Sequence, residues 1–235
     1  MNGTHPNDLI AGARPVAMLD LDLDQAIRER HSTRMFLPRP VPRDLLDEAL
    51  TLAQLAPSNS NIQPWHVVFV SGPPRDRLVA ALLDEARLRP PTDAALPEAF
   101  EHFRRELGAQ IYPAMGVVRD DKAGHAAAVF RNWEFFRAPM AAIVCMNREL
   151  GLADALSVGM FLQTLLLALT ERGLGSCVEV SVAGYQETVR AQLGIPTELS
   201  ILCGLAVGYP DSDFPGNKVH VGRDPVQNNV VFVEN

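Results

Sequence analysis

Apolar positions recur at helical spacing in some stretches of this chain and run together in others. Asp22 and Gln25 have the spacing of a capping box, opening a short helix that turns Leu23, Ala26 and Ile27 inward. From Pro42 to Ala56, Leu45, Leu46, Ala49, Leu50 and Ala53 share one helical face, and Pro57 stops the run. Further helices are predicted over Arg75–Arg89, Pro97–Gln110, Ala126–Phe136 and Tyr185–Leu193. Ala155 to Arg172 is apolar nearly all round and ends at Gly173, so it must be enclosed in the core or in a subunit interface. Trp65–Val70, Ala141–Met146, Ser176–Ser181 and Ile201–Val207 read as strands.

Helices and strands interleave without strict βαβ alternation, which predicts an α+β fold with a mixed central sheet flanked by helices. Residues 1–18 show no periodicity, and 1–21 read as an N-terminal arm before one domain over 22–235. Val230–Val233 forms an extended apolar tail that needs a partner, since a free edge of this kind invites aggregation. Phe130, Trp133, Phe135 and Phe136 make an aromatic face that either covers a site as a lid or belongs to the core.

Apolar residues make up 47% of the 235, which suits a globular chain. A formal net charge of −7 argues against nucleic acid or an anionic membrane as partner. The N-terminus lacks the apolar run of a signal peptide. The greasiest stretch, Ala155–Leu169, falls short of the roughly 20 residues a membrane span needs. Cys145, Cys177 and Cys203 make no CxxC pair and read as buried thiols of a reducing cytoplasm.

Several motifs are missing from the sequence: GxGxxG after a strand, GxxxxGK[ST], HExxH and GxSxG. Adjacent His31 and Ser32 do not make a triad pair, and no metal site is expected. Two candidates remain. Arg28, Arg30, Arg34, Arg39 and Arg43 cluster in a chain with only two lysines, either as a solvated basic face or as an anion site. A helix C-terminus repels anions, so a phosphate there would need guanidinium forks. The second is the loop Pro57-Ser58-Asn59-Ser60-Asn61, held between Pro57 and Pro64. It reads either as a plain turn or as a rigid set of amides able to match the edge of a flat heterocycle.

Glu29-Arg30-His31-Ser32-Thr33-Arg34-Met35-Phe36, Val41-Pro42 and Ala56 through Trp65 together resemble the opening of the FMN-dependent nitroreductase family. Gly159 through Ala168 with Gly173-Leu174-Gly175 is similar to its central helix. Leu202 through Pro210 and Arg223-Asp224-Pro225-Val226 are similar to its C-terminal elements. Arg104 through Ala109 and Arg119 through Gly124 resemble the nitrobenzoate reductase-like subgroup. The resemblance spans about residues 22–233.

The resemblance implies an intertwined homodimer with exchanged C-terminal tails and two FMN sites at the interface. It implies an NADPH- or NADH-dependent oxidoreductase that reduces nitroaromatic or quinone-like compounds by two-electron hydride transfer in a ping-pong cycle. Same-fold alternatives are enone or quinone reduction, degradation of FMN, or a non-catalytic FMN sensor or storage protein. Arg30 and Ser32 would hold the phosphate together with Arg223, His31 would belong to the same cofactor site, and Arg34 would support the N1/O2 edge of the ring. Pro57, Ser58, Asn59 and Asn61 would line the ring and ribityl chain, and the backbone of Glu179, Val180 and Ser181 would face N5. Val180 and Val221 depart from the family's usual acidic residue and lysine, which brings Lys218 forward as a phosphate contact. Residues 95–136 would form a lid and specificity region.

Overall fold

The computed structural model describes residues 21–89 and 96–234, so all but the last residue of the expected arm lies outside the described residues. Helix α1 (Leu23–Glu29) starts where the sequence places it. Asp22 Oδ1 accepts the Gln25 N–H at 2.8 Å, and Gln25 Oε1 accepts the Asp22 N–H at 3.0 Å. Helix α2 (Arg43–Ala53) takes Pro42 as its N-cap and is braced by an Arg43–Asp47 pair at 2.7 Å. Strand β1 (Trp65–Ser71) leads into α3 (Gly72–Leu88), and α4 (Glu98–Ala114) and α5 (Lys122–Phe130) follow.

Strand β2 (Met140–Asn147), α6 (Leu152–Glu171), β3 (Gly175–Glu179), α7 (Gln186–Leu193) and β4 (Leu199–Gly208) complete the chain's regular elements. The sheet order is β1-β2-β4-β3, and all three pairings are antiparallel. The expected mixed sheet is therefore antiparallel among its described strands. Its one parallel contact is an isolated bridge, Ser32 with Ser176, on the far edge of β3. The segment that could supply a parallel strand is only a few residues long, too short to form a ladder.

Residues of β2 alternate between two cores, as a period-2 element buried on both faces must. Ala141, Ile143 and Cys145 face α3 and α7, packing with Leu78, Leu82, Val182 and Val189. Ala142 turns to the other side, where α2 and α6 contribute Leu46, Phe161, Leu165 and Leu169. Val144 and Met146 extend that face against Val158. The result is three layers, with helices on both sides of the sheet.

Four expectations need correction. The helix predicted over Ala126–Phe136 runs from Lys122 to Phe130, capped by Asp121, whose carboxylate accepts the Gly124 N–H at 2.9 Å. Phe135, Phe136 and Arg137 then take positive φ values of 50°, 48° and 64°, which break any helix. Trp133, Phe135 and Phe136 are buried and belong to the core, which resolves the open choice for that aromatic face. Strand β3 ends at Glu179 rather than Ser181, because Val180–Tyr185 coils into 3₁₀ turns. Helix α6 is longer than the sequence pattern suggested, with 20 residues and an 18-residue stretch of mean hydropathy 1.8, enough by length and composition to cross a membrane. Its Phe161, Leu165 and Leu169 are packed into the second core. Val230–Val233 has no regular structure within the protomer and is exposed.

Gly204 marks a tight approach in the middle of the sheet. A Cβ there would lie 2.9 Å from both Phe135 Cε1 and Val182 Cγ2, two atoms held by the core. Gly204→Ala should destabilise the fold by about 1–3 kcal/mol, the usual cost of overpacking, read as a lower midpoint in urea unfolding.

Candidate functional site

After α1 the chain runs as an extended segment along the outer edge of β3. Thr33 donates its N–H to the Ser176 carbonyl at 2.9 Å, and Leu37 donates to Tyr209 at 2.9 Å. These bonds fix the direction in which the intervening side chains point. Asn217, buried at 7% exposure, completes the anchoring. Its Oδ1 accepts the Arg34 N–H at 2.7 Å, while its Nδ2 donates to the Met35 and Asp211 carbonyls at 2.8 and 2.9 Å. Sequence reading missed Asn217; the Pro-Gly-Asn turn that carries it was the available signal.

This anchoring opens a cleft of about 1110 Å³. Arg28, Arg30, His31, Ser32 and Arg34 line one wall. Val219 through Asp224 line the opposite wall, including His220 and Arg223. Phe103, Glu106, Leu107 and Gln110 of α4 and Gln163 of α6 complete the rim. Sequence reading placed none of these α4 or α6 residues individually. Two of the clustered arginines serve elsewhere: the Arg39 guanidinium lies 3.9 Å over the Tyr209 ring, and Arg43 pairs with Asp47. Lys218 is exposed and is not among the cleft's lining side chains.

The cleft is cationic within an acidic protein. Among the described residues, Arg30, Arg34 and Arg223 form no ion pair. Arg34 spans back to the Ser32 carbonyl at 3.2 Å, and burial lowers its pKa without removing its charge. Arg223 Nη1 rests on its own loop, 2.7 Å from the Val221 carbonyl. His31 Nδ1 lies 2.8 Å from the Glu29 carbonyl, and its buried Nε2 has no partner. The His220 ring stands 6.0 Å from it, centroid to centroid. Guanidinium groups without carboxylate partners, Arg34 among them partly desolvated, are suited to an added anion.

The polar loop is not brought to this cleft within the protomer. Asn59 receives its support from α6: its N–H donates to Ser157 Oγ at 3.1 Å and its Nδ2 to Asp154 Oδ1 at 3.3 Å. Ser58 Oγ accepts the Gln63 N–H at 3.0 Å. Ser60, Asn61 and Gln63 hold positive φ, strain that a plain connecting turn would not need. Asp154 and Ser157 are buried and were not foreseen. Asp154 also accepts the Gly151 N–H at the start of α6, at 3.1 Å. The loop therefore sits at the first turns of α6, while Gln163 reaches the cleft about 9 Å further along the helix. Asn59 and Asn61 are exposed, and Pro57 is exposed beside them.

Strand β3 links the cleft to the remaining candidates. Ser176 bridges Ser32 at the arginine end, and three residues on, about 10 Å, the strand ends at Glu179. Glu179 is 2% exposed, Val180 is 71% exposed, and Ser181 Oγ is buried without a partner. Burial holds the Glu179 carboxyl well above the ordinary carboxylate range, although Arg75 pulls the other way. The cysteines are unpaired and buried as expected, and desolvation pushes Cys177 and Cys203 up to about 12 and Cys145 to about 11, so none is a ready nucleophile.

The chain is 35% identical over 218 residues to a 4-nitrobenzoate reductase of Pseudomonas putida, covering 90% of this chain and 96% of that one. It is 34% identical to the FMN-dependent nitroreductase NfnB of Mycobacterium smegmatis, solved in complex with NADPH, with a TM-score of 0.82 over 91% of this chain and 100% of the other. The FMN- and NADPH-dependent nitroreductase NfnB of a Sphigopyxis strain superposes with a TM-score of 0.87 at 31% identity, covering 92% and 100% of the two chains. Residues 27–209 match the model of the Nitroreductase family. The chain belongs to the nitroreductase family.

Proposed function

We propose that this chain binds FMN, takes reducing equivalents from NAD(P)H and reduces nitroaromatic compounds. The observation that carries this reading is the meeting of Arg30, Ser32, Arg34 and Arg223, from opposite ends of the chain, around one cleft. Relatives at 31–35% identity that bear nitroreductase names support the assignment. FMN fits the residues present. Its phosphate dianion suits the unpaired guanidinium groups of Arg30 and Arg223 and the Ser32 hydroxyl. The five-carbon ribityl chain matches the about 10 Å that β3 covers between Ser176 and Glu179. Glu179, Val180 and Ser181 then lie at the ring end.

When bound, FMN supplies the ring that accepts and donates hydride between NAD(P)H and a nitro group, with one pocket serving both in turn. Arg34 is buried beside this path and offsets negative charge on the N1/O2 edge. Asn59 and Asn61, strapped rigidly to α6, offer amides to the rest of the ring. They reach it from a second copy of the chain, because their own protomer holds them away from the cleft.

A homodimer also explains the exposed apolar surface. Leu152 and Leu156 of α6 are 88% and 71% exposed, and Val231, Phe232 and Val233 stand free. The unpaired edge of β1 borders a groove of about 680 Å³ whose mixed lining includes Leu46, Leu50, Trp65 and Phe69 beside Gln54 and His66, and which the tail of the second copy can cover. The buried thiols suit a reducing cytoplasm.

The purified protein should be yellow, and anaerobic NADPH should bleach its flavin bands; a colourless protein that gains no colour from FMN would refute the reading. Arg30→Ala and Arg223→Ala should each weaken FMN binding by about 10–100-fold, measured by flavin fluorescence titration, since a charged hydrogen bond contributes about 1.5–3 kcal/mol. Arg34→Ala should retain FMN while its anaerobic reduction by NADPH slows by about 10²-fold in stopped flow.

A further inference from the structure

Two side chains of the arginine cleft have no task in holding FMN. Arg28, in the last turn of α1, is exposed along the cleft wall. Asp24 stands one turn before it, at the usual spacing of a helical ion pair, yet among the described residues Arg28 pairs with no carboxylate. Phe103 of α4 lies on the rim of the same cleft, is 43% exposed and belongs to neither core. A bare aromatic ring at the mouth of a polar cleft offers a flat face for stacking.

The cleft is also larger than one ligand needs. Its volume of about 1110 Å³ exceeds the about 300–1,000 Å³ of a pocket for a single small molecule. Arg28, Arg30, Arg34 and Arg223 outnumber the acids of the lining, Glu106 and Asp224, so a second anionic group is tolerated beside the FMN phosphate. The electron donor of the reaction proposed above is such a group. NADPH and NADH share an adenine and a diphosphate, and NADPH alone adds a phosphate dianion on the adenosine 2′-oxygen.

We propose that Arg28 receives the 2′-phosphate of NADPH while Phe103 stacks on its adenine, so that this chain selects NADPH over NADH. A guanidinium forks onto two phosphate oxygens, and NADH presents only a hydroxyl at that place. Arg30, Ser32 and Arg223 remain with the FMN phosphate, and Arg28 is left free for the nucleotide. Stacking on Phe103 serves both nucleotides equally, so discrimination falls to Arg28. The inference rests on the flavin reading and deepens it by naming the nucleotide and the residue that distinguishes it.

The test uses the FMN-loaded enzyme and its Arg28→Ala, Arg28→Lys and Phe103→Ala variants. The wild type should prefer NADPH to NADH, chiefly through KM. Arg28→Ala should raise the KM for NADPH by about tenfold, the lower end for a charged hydrogen bond because Arg28 is open to water, and should leave kcat and the KM for NADH within about twofold. Arg28→Lys should recover part of the difference, since it keeps the charge and loses the fork. Phe103→Ala should weaken NADPH and NADH alike by about tenfold, as loss of one stacked base does. Binding is read without turnover by calorimetry with adenosine 2′,5′-bisphosphate and 5′-AMP. The bisphosphate should bind the wild type more tightly than 5′-AMP does, and should lose that advantage in Arg28→Ala.

A wild type that uses both nucleotides equally would overturn the proposal, as would an NADPH-to-NADH ratio that survives in Arg28→Ala. A rise confined to the KM of the nitroaromatic would overturn it as well, giving Arg28 to the acceptor. Unaltered nucleotide binding in Phe103→Ala would overturn the stacking contact. Failure of the flavin reading is recognised separately, in the wild type, as absence of colour or of bleaching by either nucleotide.

Discussion

One amide side chain organises the candidate site. Asn217 satisfies three backbone groups at once: the Arg34 N–H and the Met35 and Asp211 carbonyls. Buried backbone groups must be paired, and no regular ladder reaches this corner of the molecule. The amide does what a strand would otherwise do. It holds the arginine segment against the turn at 215–218, from which the chain continues toward Arg223. The two walls of the cleft, far apart in sequence, are thereby kept in register at a distance suited to a single anionic group.

Charge is distributed along β3 with the same economy. At one end, Arg34 keeps its charge despite partial burial, because its backbone and guanidinium are both held by hydrogen bonds. At the other end, burial holds the Glu179 carboxyl well above the ordinary carboxylate range, against the pull of Arg75. A strand of five residues thus carries a cation beside its start and a desolvated carboxyl at its finish. Environment rather than residue type decides both states.

Much of this was legible in the sequence. The capping box at Asp22 and Gln25, the amphipathic face of α2 and the four apolar runs that became strands are local signals, and each gives the expected element, the third strand two residues shorter at its end. Arg30, His31, Ser32, Arg34 and Arg223, which the resemblance singled out, line one cleft. What the sequence could not show depends on distant partners. Arg39 and Arg43 look like members of the same cluster, yet Tyr209 and Asp47 claim them. The loop at 57–61 looks contiguous with the site, but Asp154 and Ser157 hold it at the other end of α6. The aromatic face at 130–136 ends as core because three residues with left-handed backbone cut the helix short, a conformation no propensity would assign to phenylalanine.

That left-handed turn has a mechanical consequence. Phe135 and Phe136 are embedded in the core, so the strain of the corner at 135–137 is locked in by packing. It behaves as a stiff elbow. Any swing of α4 above the arginine cleft has to be taken up upstream, and Gly116, at φ 80° in the turn between α4 and α5, is the joint with freedom to yield.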